Sequence, residues 1–293
     1  MGKYLITSIL ICLFLTAPDY SYAGKVKVIA SISPLADFAR QVGGERVDVK
    51  LLLPPGASPH VYEPTPKTLK YVSEAGVFIK IGSGLEFWAE KIIKASDNRK
   101  LIIVDSSSGI PLIGHHEKSH SHSSSGDDPH IWLDPQIAMD IVIKIEKALI
   151  EADPRGAEFY RKNASMYREK LSRLDKEISA KIKTFRIKEY VTFHPAWNYF
   201  SRRYGLRVAG VIEESPGKEP SPKHVASIIR EIGRIGSKVI FVEPQFNPKI
   251  AEVIAKDSGA KVLYLDPIGG QNGRETYIDM MRYNIATMES VMK

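Results

Sequence analysis

The sequence predicts an α/β protein of two lobes, each a small, mostly parallel sheet flanked by helices, joined by one long backbone helix. Three observations carry this expectation. Short β-branched runs alternate with amphipathic helical runs, which is the pattern of parallel βαβ units. The alternation occurs twice, before residue 114 and again after residue 188. Between the two stands a sustained helical pattern over 153–185, which at ~1.5 Å per residue reaches about 45 Å.

Residues 1–23 read as a signal peptide rather than part of the fold. Lys3 precedes an apolar run over 4–17, and the small residues of "SYA" at 21–23 predict a cut after Ala23. The run is shorter than the roughly 20 residues a membrane span needs, so the chain is expected to be exported. From there "KVKVIASI" (25–32) reads as a strand and "PLADFARQVGG" as a helix closed by Gly43 and Gly44. "VDVKLLLP" is a strand, "TPKTLKYVSEA" a helix, "GVFIKIG" a strand, "FWAEKIIKAS" a helix and "KLIIVD" a strand. Residues 114–128, rich in His, Ser, Gly and Asp, break the pattern as a polar surface loop.

A helix over "QIAMDIVIKIEKALIEA" follows, and then the long one. Asp153 is its expected N-cap, with Pro154 at the first helical position. Phe159, Met166, Leu171, Leu174, Ile178, Ile182 and Phe185 are its expected buried face. Beyond it come strand "EYVTF", helix "AWNYFSRRYG", strand "LRVAGVI", a helix over "SPKHVASIIREIGRIG" capped by Ser221, and strand "SKVIFVE". Helix "NPKIAEVIAKDSG", strand "AKVLYLD" and the closing helix "TYIDMMRYNIATMESVM" complete the chain. The expected division is 24–152 for the N-terminal lobe, 153–185 for the linking helix and 186–293 for the C-terminal lobe.

Composition narrows the chemistry. The single cysteine, Cys12, lies inside the signal segment, too early to resemble a lipid-attachment site. The mature chain therefore has no thiolate, and any transition metal must be held by nitrogen and oxygen. The net charge of +7 is spread over helical stretches. No basic patch with interleaved aromatics stands out, so nucleic acid is not an expected partner.

In parallel sheets, ligands bind beyond the carboxyl ends of strands. His60 follows a strand and a Pro/Gly turn, His194 directly follows "EYVTF", Asp266 ends "KVLYL", and His130 precedes "IWLDP". Two come from each lobe. Three imidazoles and a carboxylate suit a tetrahedral zinc site, although each residue alone also reads as a capping or hydrogen-bonding group. Glu243, at the end of "SKVIFV", is either an acceptor for an imidazole N–H or a helix cap. Tyr62, Trp132, Trp197 and Tyr199 flank these positions as packing residues. His224 reads as structural, and Glu213 and Glu214 as loop-positioning.

The motifs "LLPPGASPHVYEPTP", "DPHIWLDP", "VTFHPAWNYF", "EESPGKEPSP", "FVEPQF" and "LYLDPIGG" occur in that order. With the long central helix, they resemble the metal-specific solute-binding proteins of zinc and manganese ABC importers, across the whole mature chain. The resemblance implies a monomeric periplasmic protein that holds one transition-metal ion between its lobes and delivers it to a membrane permease. It implies His60, His130, His194 and Asp266 as the metal ligands. Two departures are informative. Pro59 stands where some zinc-type members have Glu, and His194 where many manganese-type members have Glu. Imidazole favours Zn2+ over Mn2+, so zinc is the expected cargo and manganese the alternative.

Five of the eight histidines lie within "GHHEKSHSHSSSGDDPHIWLDP". His130 belongs to a rigid Pro/Trp motif. His115, His116, His120 and His122 lie on Ser/Gly-rich chain, an auxiliary weak metal-binding loop by composition. An exported zinc hydrolase would need an open coordination position and a base, yet no HExxH pairing occurs. An adhesin is the other alternative. Three ordinary imidazoles would make metal affinity fall steeply as pH drops through ~6.5.

Overall fold

The computed structural model describes residues 24–114, 126–215, 217–236 and 238–293. The expected signal peptide and the four loop histidines His115, His116, His120 and His122 lie outside the described residues. The architecture matches the sequence expectation. The first sheet comprises β1 (Val26–Ala30), β2 (Val47–Leu51), β3 (Val77–Lys80) and β4 (Ile102–Asp105), in the spatial order β2-β1-β3-β4. The second comprises β5 (Glu189–Thr192), β6 (Arg207–Val211), β7 (Val239–Val242) and β8 (Lys261–Tyr264), in the order β6-β5-β7-β8. Every ladder in both sheets is parallel. The central strands read as near-continuous apolar runs because helices cover both faces; "VIFV" of β7 is buried at every position.

Helices α1 (Ser33–Gly43), α2 (Pro66–Glu74) and α3 (Ala89–Ala95) connect the first sheet, and α4 (Pro135–Ala152) leaves it. α2 begins in a reciprocal cap in which Thr65 and Thr68 satisfy each other's backbone N–H groups. α5 (Ala157–Lys183) is the 27-residue linking helix, about 40 Å long. The second lobe adds α6 (Asn198–Tyr204), α7 (Pro222–Ile235), α8 (Lys249–Ser258) and α9 (Tyr277–Met292). Ser221 caps α7 by accepting the His224 N–H, as expected. Among the described residues, no helix is long and apolar enough to cross a membrane.

Two expectations about α5 are corrected. Asp153 does not cap it: Pro154–Gly156 form a 3₁₀ turn first, and α5 starts at Ala157. The Asp153 carboxylate is used instead by Arg46, at 2.6 Å, and by the Tyr160 hydroxyl, at 2.8 Å. The buried face at the N-terminal end of α5 is also displaced by one position. Met166 is 45% exposed, while Tyr160, Ala164 and Tyr167 are buried. The tyrosines can enter because their hydroxyls find partners, Tyr160 on Asp153 and Tyr167 on Asp37 Oδ2, at 2.9 Å.

The lobes share more than the helix. One apolar core runs from Val28, Phe38 and Ile79 through Leu171 and Ile178 to Phe200, Phe241 and Met281. Trp132 Nε1 donates to the Pro267 carbonyl at 2.7 Å, and Tyr277 donates back to the Trp132 carbonyl at 2.7 Å. These buried contacts cross between the halves. A crevice so tied is held in a narrow range of geometries.

Candidate metal centre

The loop after β2 carries His60, the segment before a 3₁₀ turn at Ile131–Leu133 carries His130, and the end of β5 carries His194. The three rings converge, two from the first half of the chain and His194 from the second. His130 Nε2 lies 3.2 Å from His60 Nε2 and 3.2 Å from His194 Nε2. Among the described residues, these three form the one group of potential metal ligands whose donor atoms converge. They border a cavity of about 10 Å³, lined also by Ser58, Pro59, Gln245, Phe246, Pro267 and Ile268. That is room for about one water or a small ion.

What lies behind each ring fixes its direction. Asp128 is fully buried, and its Oδ1 sits 2.7 Å from His130 Nδ1 while also accepting the His130 backbone N–H at 2.9 Å. Its Oδ2 accepts from Asn198 Nδ2 at 3.0 Å. With the Nδ1 proton directed at Asp128, His130 Nε2 presents a bare lone pair to the cavity. Behind His194, Glu243 Oε1 lies 3.1 Å from Nδ1, without hydrogen-bond alignment. Trp197 Nε1 donates to the same oxygen at 3.2 Å, and Glu243 Oε2 is buried without a partner among the described residues. Of its two sequence readings, Glu243 is therefore beside an imidazole and not a cap: α8 starts at Lys249, with Pro248 at the N-cap position and no side-chain cap.

Burial disfavours the charged forms of His60 and His130. It pushes His60 down to about 2, helped by repulsion from His130 and His194. Burial lowers His130 as well, against the opposing pull of Asp128. Burial raises Asp128, but the hydrogen bonds and charge attraction of His130, with the hydrogen bond from Asn198, together more than offset this and hold it below the usual carboxylate range. The expected three-proton competition near pH 6.5 is thus not what this geometry gives. With His60 held neutral down to about 2, the affinity loss between pH 7 and 5.5 should be shallower than three ordinary imidazoles would give.

The folded protein bears the consequence instead. Above pH 6.5 the His60 imidazole is neutral in both folded and unfolded chains and contributes no difference. Below it, the unfolded chain takes up a proton that the buried ring refuses, so stability falls as pH falls towards 2. Metal-free protein should lose on the order of 1–2 kcal/mol from this group between pH 7.5 and 5. A metal-free melting temperature that is equal or higher at pH 5 would contradict buried neutral imidazoles.

Asp266, the expected fourth ligand, is engaged by other partners in this structure. It is fully buried just past β8, but it lies outside the convergent group. Its Oδ1 accepts the backbone N–H groups of Ile268 and Gly269, at 3.0 and 2.9 Å, and Gln245 Nε2 at 3.3 Å. Its Oδ2 pairs with Arg274 Nε at 2.8 Å. Gly269 makes this wrap possible: its φ is +64°, and a Cβ there would stand 2.9 Å from the Arg274 carbonyl. Three donors on Oδ1 and one on Oδ2 tie the carboxylate into the "DPIGG" turn.

The flanking residues take structural roles. Tyr62 packs edge-on against Trp88, and Tyr199 donates from its hydroxyl to the Asp128 carbonyl at 3.1 Å. His224 Nε2 bonds the Val211 carbonyl at 2.8 Å, away from the cavity. Glu213 accepts the Gly217 N–H, as a loop-holding residue would. Sequence reasoning missed Asp128, Gln245 and Arg274. Asp128 stands two residues before His130, the spacing that lets one carboxylate reach both the ring and its backbone N–H.

The family model for the periplasmic component A of the zinc-uptake complex, ZnuA, matches residues 28–291. Zinc-binding protein AdcA of Streptococcus pyogenes serotype M3 is 32% identical over 286 residues, which is 90% of this chain and 56% of that protein. The chain thus spans little more than half the length of this relative. Manganese-binding lipoprotein MntA of Halalkalibacterium halodurans is 32% identical over 90% of this chain and 88% of its own length. Among solved structures, a crystal structure of ZnuA superposes with a TM-score of 0.83 at 30% identity, covering 92% of this chain and all of that one.

Proposed function

The chain belongs to the family of periplasmic A components of zinc-uptake complexes, and on that premise we propose that it is the solute-binding protein of an ABC importer, capturing one Zn2+ between its lobes. His60, His130 and His194 are the proposed ligands. The observation that carries this reading is the pair of 3.2 Å separations between their Nε2 atoms. Nitrogens ~2.0–2.1 Å from one zinc at tetrahedral angles lie roughly 3.3 Å apart. With its Nδ1 proton on Asp128, His130 turns a lone pair towards two other ring nitrogens, an arrangement that a shared cation relieves. His60 is held neutral by burial and His130 is aimed by Asp128, so capture requires no proton release from His60 and no large rearrangement.

The protein is exported, works in the periplasm as a monomer, and hands its ion to a membrane permease. Residues 24–152 and 186–293 act as the two lobes, with 153–185 between them. It is a carrier and not an enzyme. Manganese is the second reading, favoured by the manganese-binding relative. An all-imidazole set argues for zinc, because manganese prefers carboxylate and carbonyl oxygen.

A competition titration of metal-free mature protein, with a chromophoric chelator reporting free ion, tests this. One tight Zn2+ equivalent that excess Mn2+ displaces poorly is the expected result. Preferential retention of Mn2+ would replace the zinc reading by the manganese one. Absence of tight binding by either ion would remove both.

A further inference from the structure

The outer face of α5 takes no part in the metal centre, and it is strongly charged. Arg161, Lys162, Arg168, Lys170, Arg173, Lys176 and Lys183 are exposed on this one helix, against two exposed carboxylates, Glu158 and Glu169. That surplus of five stands in a chain whose net charge is +7. At about 100° per residue the cations share one side, opposite the buried Tyr160, Leu171, Ile178 and Ile182. The stripe runs roughly 33 Å along the helix.

Folding leaves this charge standing. Elsewhere arginines are paired across elements: Arg207 and Arg234 with Glu189, Arg282 with Glu177, and Arg203 with Asp175. In the stripe only Arg173 has an ion-pair partner among the described residues, Glu169 at 4.0 Å. Lys170, Arg173 and Lys176 follow one another at helical-neighbour spacing, where like charges repel. That repulsion works against the folded helix, and an anionic partner relieves it. Beside the C-terminal half lies an open hollow of about 570 Å³, lined by Lys176 and Lys183 of α5 and Arg203 of α6. Asp175, the carboxylate that also lines it, already accepts from Arg203, Tyr204 and Gln136.

We propose that this face of α5 docks on an anionic phospholipid surface. Its shape selects the partner. A straight, convex ridge cannot enclose a small anion, but it can lie along a flat array of phosphates. The long cationic stems and Met166, 45% exposed within the stripe, give apolar contact at headgroup level. No exposed aromatic ring of α5 interleaves the cations, as base stacking on a nucleic acid would require. None of these residues lines the ion cavity, so docking leaves the metal centre free. A carrier held on the membrane meets a permease there at raised local concentration. The inference goes beyond the import reading and does not depend on which ion is carried.

Flotation of the mature protein with vesicles tests it, comparing pure phosphatidylcholine with phosphatidylcholine containing roughly 30 mol% phosphatidylglycerol. Wild type should float with the anionic vesicles alone and be released at about 0.5 M salt, where screening is short-ranged. Arg161→Gln, Arg168→Gln, Lys170→Gln and Lys176→Gln combined should weaken partition on the order of 100-fold, at about fivefold per charge. A control removes the same charge from exposed lysines on and beside α2 and α3, by Lys70→Gln, Lys91→Gln, Lys94→Gln and Lys100→Gln, and should stay close to wild type. Melting curves and Zn2+ titrations of both variants should match wild type. Equal losses in the two variants would reduce the effect to net charge and overturn the proposal. So would wild-type binding that ignores lipid charge, or capture by soluble polyglutamate with none by vesicles, which would make the partner an acidic chain. A wild type that binds anionic vesicles but no zinc would sink the import reading alone.

Discussion

Replacing His194 by alanine is expected to weaken Zn2+ binding by roughly 10²–10³-fold while leaving the protein folded. Four-ligand structural zinc sites contribute about 10–16 kcal/mol in all, about 3–4 kcal/mol per ligand, and that is the loss expected for one missing imidazole. His194 is 3% exposed at the end of β5, beneath the Phe246 ring, so no other side chain can swing into its place. The matching control is His224→Ala. That ring bonds the Val211 carbonyl at the start of α7, and its removal should leave zinc affinity within about twofold. Chelator competition reads both. Equal losses in the two variants would mean that the effect is not coordination.

Asp266→Ala should act on the opposite quantity, the stability of the metal-free protein. It removes the partner of a largely buried guanidinium and two backbone N–H acceptor sites at once. Stripping one partner from a buried ion pair costs about 3–5 kcal/mol. Arg274 keeps some relief from residual exposure and from the Tyr283 ring at 4.6 Å, so about 3 kcal/mol is expected. In a chain of this size that corresponds to roughly 5–10 °C in metal-free melting temperature. Zinc affinity should fall less than in His194→Ala, because the ion keeps all three imidazoles. If Asp266 were a ligand, the pattern would reverse: metal-free melting nearly unchanged, and affinity lost as severely as with a histidine.

The contrast between these residues shows what the sequence made legible. His194 and Asp266 lie just past strands, and His60 follows one after a Pro/Gly turn; alternation of strands with helices is a strong local signal, so their placement in one crevice could be read directly. The same signal says nothing about which oxygen of Asp266 meets which donor. That depends on Arg274, eight residues away, and on a glycine at φ +64° that turns the chain around the carboxylate. The linking helix was legible by its period, but its buried edge was misjudged at Met166, because tyrosines at positions 160 and 167 enter the core once Asp153 and Asp37 meet their hydroxyls.

The central claim is that one zinc ion is held by three imidazoles between the lobes. Crystals of the zinc-loaded protein, with anomalous difference maps recorded on either side of the zinc absorption edge, test it most directly. A single strong peak ~2.0–2.1 Å from the Nε2 atoms of His60, His130 and His194 is the predicted result. A principal peak elsewhere, or one touching fewer than three of these rings, would contradict it.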